Sequence, residues 1–375
     1  MSAPDSKGPD AMDAMREVTD RARTLGSPSP SRLAAFLARQ PDLGGRLEGI
    51  KIDATLRSSG ASSGTVLLDA YVTGDDGDHT ALPLVFRYDL GGTFFFQYDL
   101  IAQFKTMRAL ELVGFPAPHA LWLDAEGEVA GKPGLFMRRV DAPAPGGQPF
   151  AEGPLASADE YDRHAMILNA VRCFAALHAL EPASLPLDHL RGRGQGDTFI
   201  ARALDWDSKE LLHAIPPGFG AERASYYDTV RTDLLRVRDH LRAEAPPYQK
   251  AELAHGDTNL SNVMYHGSEV AALLDWELCH LGLGEADLAY CIAGMAHFQL
   301  TLDPIPGIPT QDEILAAYKA ARGGLRDWSY CELWGEWRLG VYQTMAFSRL
   351  PAAMRHIEEL YWTNTRSRLS RLLPL

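Results

Sequence analysis

A carboxylate at Asp257, an amide at Asn262 and a second carboxylate at Asp275 make a chemically coherent set. Asp257 lies five residues before Asn262, so one short loop carries a carboxylate at its start and an amide oxygen at its end. Val263 to Tyr265 is an apolar run, His266-Gly267-Ser268 supplies turn chemistry, and Val270 to Leu274 is a second apolar run that delivers Asp275 at its end. The pattern predicts a hairpin. Asn262 and Asp275 are hard oxygen donors of the kind Mg²⁺ prefers, which leaves Asp257 to accept a proton from an attacking hydroxyl. Those are the parts of a phosphotransfer site. Each residue alone has a plainer reading: a turn or helix-cap aspartate for Asp257, a turn residue for Asn262, a polar strand end for Asp275-Trp276-Glu277. The joint order of loop, amide, turn, strand and terminal carboxylate carries the inference.

At these residues the chain resembles the aminoglycoside phosphotransferase family, a branch of the protein-kinase-like fold that phosphorylates small molecules. The shared pattern is His255-Gly256-Asp257, four residues, Asn262, and a hydrophobic strand ending in Asp275-Trp276. The resemblance runs from about Gly49 to the end and is most specific between Leu253 and Tyr290. It implies Asp257 as catalytic base, Asn262 and Asp275 as magnesium ligands, His255 as a brace for the loop, and Asp287 as an aspartate that opens a helix.

Composition narrows the function class. A chain of 375 residues buries a large core and suits two domains or one two-lobed enzyme. The net charge of -13 speaks against coating nucleic acid. From Ala251 to Tyr318 there is no Lys or Arg, while Glu252, Asp257, Asp275, Glu277, Glu285 and Asp287 are among the acidic residues. Such a run either makes a field for a metal ion or a cationic substrate, or is a solvated acidic surface. Cys173, Cys279, Cys291 and Cys331 form no Cys-x-x-Cys pair and read as reduced, buried thiols. No apolar leader segment and no stretch of about 18 apolar residues is visible, which predicts a cytoplasmic protein with no membrane partner.

The surrounding elements must position these groups. Residues 1–44 are expected to form a polar arm followed by a helix that Ser31 caps. Residues 45–141 are expected to form a small antiparallel β-lobe with one helix, from the runs Ile50 to Leu56, Thr65 to Val72 and Leu82 to Arg87. Between the first two strands lies Ser58-Ser59-Gly60-Ala61-Ser62-Ser63-Gly64, where the resembled fold covers nucleotide phosphates. Ser59, Gly60, Ser62 and Ser63 are therefore candidates for phosphate contact through backbone N–H groups and hydroxyls. The strand ending at Arg87 offers an arginine where kinases place a lysine, and the helix from Asp99 offers Gln103 where the family commonly has glutamate. Gly134 to Asp141, with Met137 and Arg139, resembles the family's hinge for the adenine edge. The proline- and glycine-rich run from Ala142 to Pro149 opens a second lobe expected over residues 142–375, in which helical spacing dominates from Asp159 onward, as in Met166, Ala170, Phe174 and Leu177. Glu277, Trp334, Trp337 and Tyr342 are candidates for the acceptor pocket, although aromatic residues at helical spacing also build cores.

The combined expectation is an α+β, two-lobed protein-kinase-like enzyme. It moves the γ-phosphoryl of ATP, or GTP, with Mg²⁺, to a hydroxyl of an aminoglycoside-like, choline-like or hydroxyacyl compound. Relatives of the resembled branch are also fused to acyl-CoA dehydrogenases, which brings the hydroxyacyl class in. The state is expected to be monomer or homodimer. Two alternatives stand beside this reading: a catalytically weak or inactive kinase-like nucleotide-binding protein, suggested by Gln103, and a metal-dependent hydrolase, which would need His or Asp ligands at a spacing His255, His266 and His280 lack.

Overall fold

Long apolar alternation along the chain's first half produces a sheet, and its core is built on one face. The computed structural model describes residues 28–53, 63–91, 94–247 and 250–373; the candidates Ser59, Gly60 and Ser62 lie outside the described residues. Helix α1 (Pro30–Leu37) precedes strands β1 (Arg46–Asp53), β2 (Ser63–Thr73) and β3 (His79–Asp89). Helix α2 (Leu100–Glu111) is followed by β4 (Ala120–Asp124) and β5 (Gly134–Arg138). The five strands form one antiparallel sheet in the order β1-β2-β3-β5-β4.

Leu68, Leu84, Phe86 and Phe136 are fully buried on the sheet face that α1 covers with Leu33, Phe36 and Leu37. Each such side chain contributes about 1.5–3 kcal/mol on leaving water. Helix α1 begins two residues earlier than expected: Ser29, not Ser31, accepts the N–H of Arg32 at its hydroxyl, and Pro30 occupies the first helical position. Proline fixes φ at a helical value and lacks the N–H that the first turn would leave unpaired, so it favours this start.

The remainder is mainly helical. Helices α3 (Gly153–Ser157), α4 (Glu160–Ala179), α5 (Phe199–Ala214) and α6 (Ala224–Ala243) lead to β6 (Glu252–Ala254) and the hairpin β7 (Val263–His266) and β8 (Glu269–Leu273). Strand β9 (His280–Gly282) pairs with β6, and helices α7 (Gly284–Gln299), α8 (Gln311–Arg322), α9 (Trp328–Phe347) and α10 (Arg355–Leu372) complete the chain. Met166, Ala170, Phe174 and Leu177 all face the core on α4, whose N-terminus is capped by Asp159. Thr310 and Glu313 form a reciprocal capping box at the start of α8, and Gly323 ends that helix in the left-handed conformation.

Contacts divide the described residues into two compact units that are not sequential. One runs to Ile101 and includes Ala120–Arg139 and Ala346–Leu360; the other holds Ala102–His119, Val140–Met345 and the segment from Tyr361. Most of α2 belongs with the helical unit, so the sheet is not accompanied by the whole of the helix that follows it in sequence.

Candidate active site

The hairpin delivers two of the predicted groups to one end. Val263 pairs with Leu273, and the Leu274 N–H donates to the Asn262 carbonyl at 2.7 Å. Asn262 therefore stands at the entry to β7, beside the point where β8 arrives at Asp275. Asp275 has φ 65 and ψ 66, and it is the sole non-glycine residue with positive φ among the described residues. Aspartate tolerates that left-handed conformation better than most residues, and its presence here turns the chain sharply out of β8. Trp276 then tucks under the turn, buried, with its indole N–H on the Leu273 carbonyl at 2.8 Å and its ring edge-on to His255.

The loop before the hairpin is held from beneath by Asp287 on α7. One Asp287 oxygen accepts the His255 N–H at 2.5 Å, and the carboxylate also accepts the Gly256 N–H at 3.0 Å. The buried Thr258 hydroxyl donates to the Asp287 carbonyl at 2.6 Å. Gly256 has φ 87, and a Cβ there would come within 2.1 Å of the Leu278 carbonyl oxygen. Only glycine fits where the backbone passes so close. Burial works against the charge of Asp287, but the hydrogen bond from His178, the charges of His178 and His280 and then Arg338 hold its pKa down to about 2. It remains an anion at working pH.

His255 is bonded as a neutral ring. Its Nε2 donates to the Leu274 carbonyl at 2.8 Å, so Nδ1 is the nitrogen that accepts the Asp257 N–H at 3.1 Å. Burial lowers its pKa, and protonation would remove that acceptor. With both nitrogens occupied by backbone groups, His255 ties Asp257 to the end of β8 and has no free edge for a reactant.

Asp257 is held between two side-chain amides. Asn262 Nδ2 donates to one carboxylate oxygen at 2.8 Å and to the Asp257 carbonyl at 3.0 Å, while Asn259 Nδ2 donates to the other carboxylate oxygen at 2.5 Å. Removal from water raises its pKa most, the Asp275 charge adds to that, and the Asn262 amide, Arg338 and Tyr290 oppose it; the result is about 6. A carboxylate so placed is a stronger base than an ordinary aspartate yet stays ionised near neutrality. Because both amide hydrogens of Asn262 point to Asp257, its Oδ1 faces away, and no described residue donates to it. That oxygen is an acceptor suited to a cation. Among the described residues no three His, Cys, Asp or Glu side chains gather as a metal group, so a cation here would draw on Asn262, Asp275 and non-protein oxygens, as Mg²⁺ commonly does.

A model of the phosphotransferase enzyme family matches residues 93–334, more than half of the chain. The chain belongs to that family. Relatives of the chain include acyl-CoA dehydrogenase family member 11 of Rattus norvegicus, 27% identical over 301 residues that cover 70% of this chain and 36% of that protein. The corresponding human protein is 27% identical over 238 residues, covering 60% of this chain and 28% of that one. The chain thus spans about a third of the length of these relatives. Among solved structures, a candidate aminoglycoside phosphotransferase of Ralstonia eutropha superposes with a TM-score of 0.60 at 19% identity, covering 91% of this chain and 99% of that one. Ethanolamine kinase of Plasmodium vivax gives 0.54 at 12% identity, covering 85% and 83%. The fold is α+β and protein-kinase-like, as the sequence led one to expect.

The remaining candidates fall into distinct places. Ser63 and Arg87 meet: on the paired β2 and β3, Arg87 donates to the Ser63 hydroxyl from Nη2 at 2.7 Å and Nε at 3.2 Å. Gln103 is buried in the helical unit, with no hydrogen-bond partner for its Nε2 among the described residues. Met137 sits in β5 between Val85 of β3 and Ala120 of β4. Arg139 pairs with Asp69 at 2.5 Å and its N–H donates to the Pro83 carbonyl. Glu277 is half-buried just past Asp275, its carbonyl taken by Arg193. Trp334 and Trp337 are core residues, at most 1% exposed, and the Trp337 indole donates to the Leu234 carbonyl; at helical spacing their faces meet neighbouring helices. The Tyr342 hydroxyl donates to Asp207 at 2.8 Å.

The acidic run also resolves differently from a uniform field. Glu252 accepts Arg322 and Arg326, Glu285 accepts Arg326, and Asp287 faces Arg338. Cations from beyond residue 318 neutralise in space what the sequence leaves unbalanced. Two residues that contact this site, Asn259 on Asp257 and Arg338 on Asp287, were missed by sequence reasoning. Asn259, two residues after Asp257, carried a signal in its type; Arg338 stood as a lone cation amid apolar neighbours on α9, and a buried cation demands an anion.

Proposed function

We propose that the chain transfers the γ-phosphoryl group of ATP, or of GTP, to a hydroxyl of a small molecule, with Asp257 as general base. The observation that carries this is the Asp257 carboxylate, gripped by Asn259 and Asn262 and raised to about 6. In the step, Asp257 accepts the proton of the acceptor hydroxyl as its oxygen forms the new bond to phosphorus; the bond from phosphorus to the bridging oxygen breaks, and the nucleoside diphosphate leaves. Asn259 and Asn262 fix the carboxylate's direction, so that little reorganisation is needed when the hydroxyl arrives. Asn262 and Asp275 would hold Mg²⁺, which when bound supplies neutralisation of phosphate charge. A nucleotide donor accords with the ADP bound to spectinomycin phosphotransferase and the GDP bound to an aminoglycoside 2'-phosphotransferase, neighbours with TM-scores of 0.54 and 0.51 at 12% identity. Arg87, oriented by Ser63, is the phosphate-contacting cation in this reading.

The test is ADP release from Mg·ATP across a panel of hydroxyl compounds, comparing the unmodified chain with Asp257→Asn. Acceptor-dependent release that falls by roughly 10²–10⁴ in the variant is the expected result. Equal release by both proteins would overturn the assignment.

A further inference from the structure

The helical unit holds a small pocket whose wall is basic, despite the chain's net charge of -13. Arg191, Arg193, Arg202 and the half-buried Trp206 line it together with the buried pair Asp207 and Arg338. The pocket encloses about 20 Å³. That exceeds the roughly 10–15 Å³ one water requires, and it admits a single oxygen-rich group but no whole acceptor.

The charges here are unevenly matched. Arg338 is answered by Asp207 at 3.2 Å and Asp287 at 3.8 Å, and Asp207 also accepts the Tyr342 hydroxyl. Arg191 is paired with Asp188, but both side chains are well exposed and that pair is weak. Arg193 and Arg202 have no carboxylate within 4 Å among the described residues. Arg193 donates only to the carbonyls of Cys279 at 2.6 Å and Glu277 at 3.1 Å and lies over the Trp206 ring; Arg202 donates to the Gly196 carbonyl at 3.2 Å. Two guanidinium groups whose side-chain hydrogen bonds go to carbonyl oxygens have donors of a planar fork that suits a carboxylate or a phosphate group.

The pocket is also tied to the catalytic segment. Arg193 grips the carbonyls two and four residues beyond Asp275, and Arg338 faces the Asp287 carboxylate that holds the His255 and Gly256 amides. We propose that this pocket binds an anionic group of the acceptor, a carboxylate or a phosphate, so that the hydroxyl compound phosphorylated here is an acid and not an amine. The inference rests on the phosphotransfer reading above and narrows its acceptor class.

Two arms test it, both on the full chain. Calorimetric titration without nucleotide uses 3-hydroxybutyrate, glycerol 3-phosphate and ethanolamine; ADP release uses the same three compounds. Binding of at least one acid, with ethanolamine silent, is expected, and Arg202→Gln should weaken that acid by roughly tenfold or more in both affinity and KM while kcat holds. Response to 3-hydroxybutyrate alone assigns a carboxylate, and response to glycerol 3-phosphate alone assigns a phosphate. Arg202 makes a single backbone contact, so its variant folds where Arg193→Gln risks the loop; Arg193→Gln serves as the second variant. Ethanolamine binding as well as the acids, or acid affinity indifferent to both substitutions, overturns the proposal. If none of the three releases ADP, the titration arm still decides the anion pocket by the Arg202→Gln comparison, while the phosphotransfer reading is decided by its own panel.

Discussion

Asp287 Oδ2 lies 2.5 Å from the backbone nitrogen of His255, across 32 residues of sequence. Through this bond a buried anion on a helix fixes the conformation of the loop that carries Asp257. The same carboxylate faces His178 and Arg338, so loop geometry, core packing and charge balance share one side chain. Replacing Asp287 with alanine should leave Arg338 partly uncompensated and two amides unpaired. A loss of about 3–5 kcal/mol of stability is expected, read by chemical denaturation, together with loss of turnover. A variant of unaltered stability would mean that water takes over the two amides and that the loop holds itself.

Asp257→Asn should behave in the opposite way. The change removes a carboxylate that is kept from water and repelled by Asp275, so stability should stay within about 1 kcal/mol of the unmodified chain or rise. Turnover should nonetheless fall. Stability loss of the Asp287 kind would mark Asp257 as a structural residue.

The contrast shows which parts of the site were legible. Asp257, Asn262 and Asp275 announce themselves because short-range rules fix their relation: a loop of set length and a hairpin of period two. The same holds for the apolar stripe of α4. Asp287 was visible as a helix-opening aspartate, yet its grip on His255 and Gly256 depends on how β6 and α7 pack, which no local pattern encodes. Arg338 was lost for the same reason. Trp334 and Trp337 show the reverse problem, since a helical stripe of aromatic residues reads alike whether it faces a pocket or the interior.

Gly256→Ala tests the tight passage under the loop. At φ 87 an alanine is strained, and its Cβ would meet the Leu278 carbonyl oxygen at 2.1 Å. The loop or the segment after Asp275 must move, which should cost at least about 2 kcal/mol. Thermal unfolding of the variant is the measurement; an unchanged midpoint would show that the backbone shifts freely there.

Metal dependence separates the two proposed ligands. Asp275→Ala should weaken Mg²⁺-dependent nucleotide binding more than Asn262→Ala, because a carboxylate neutralises charge and an amide only coordinates. Titrating ATP with and without Mg²⁺ for each variant reads this directly. Nucleotide binding in the unmodified chain that ignores Mg²⁺ would remove both residues from that role.

His280 sets the pH dependence of stability. Its ring donates from Nδ1 to the Leu278 carbonyl at 3.0 Å, and burial first, then the facing charge of Arg338, push its pKa down to about 3 against the pull of Asp287; Arg193 adds a smaller push downward. A histidine neutral in the folded chain but free to protonate when unfolded binds more protons in the unfolded state between these values. Its contribution to stability is therefore complete above its ordinary value of 6.5 and is lost as pH falls toward about 3. Allowing for the partly exposed ring, that contribution is on the order of 3 kcal/mol. His280→Asn keeps an N–H near the Nδ1 position but cannot take up a proton. Unfolding free energies measured from pH 7 to pH 4 should decline less steeply in this variant than in the unmodified chain, the two curves converging toward the acid end. Parallel curves would show that His280 protonates equally in the folded and unfolded chains.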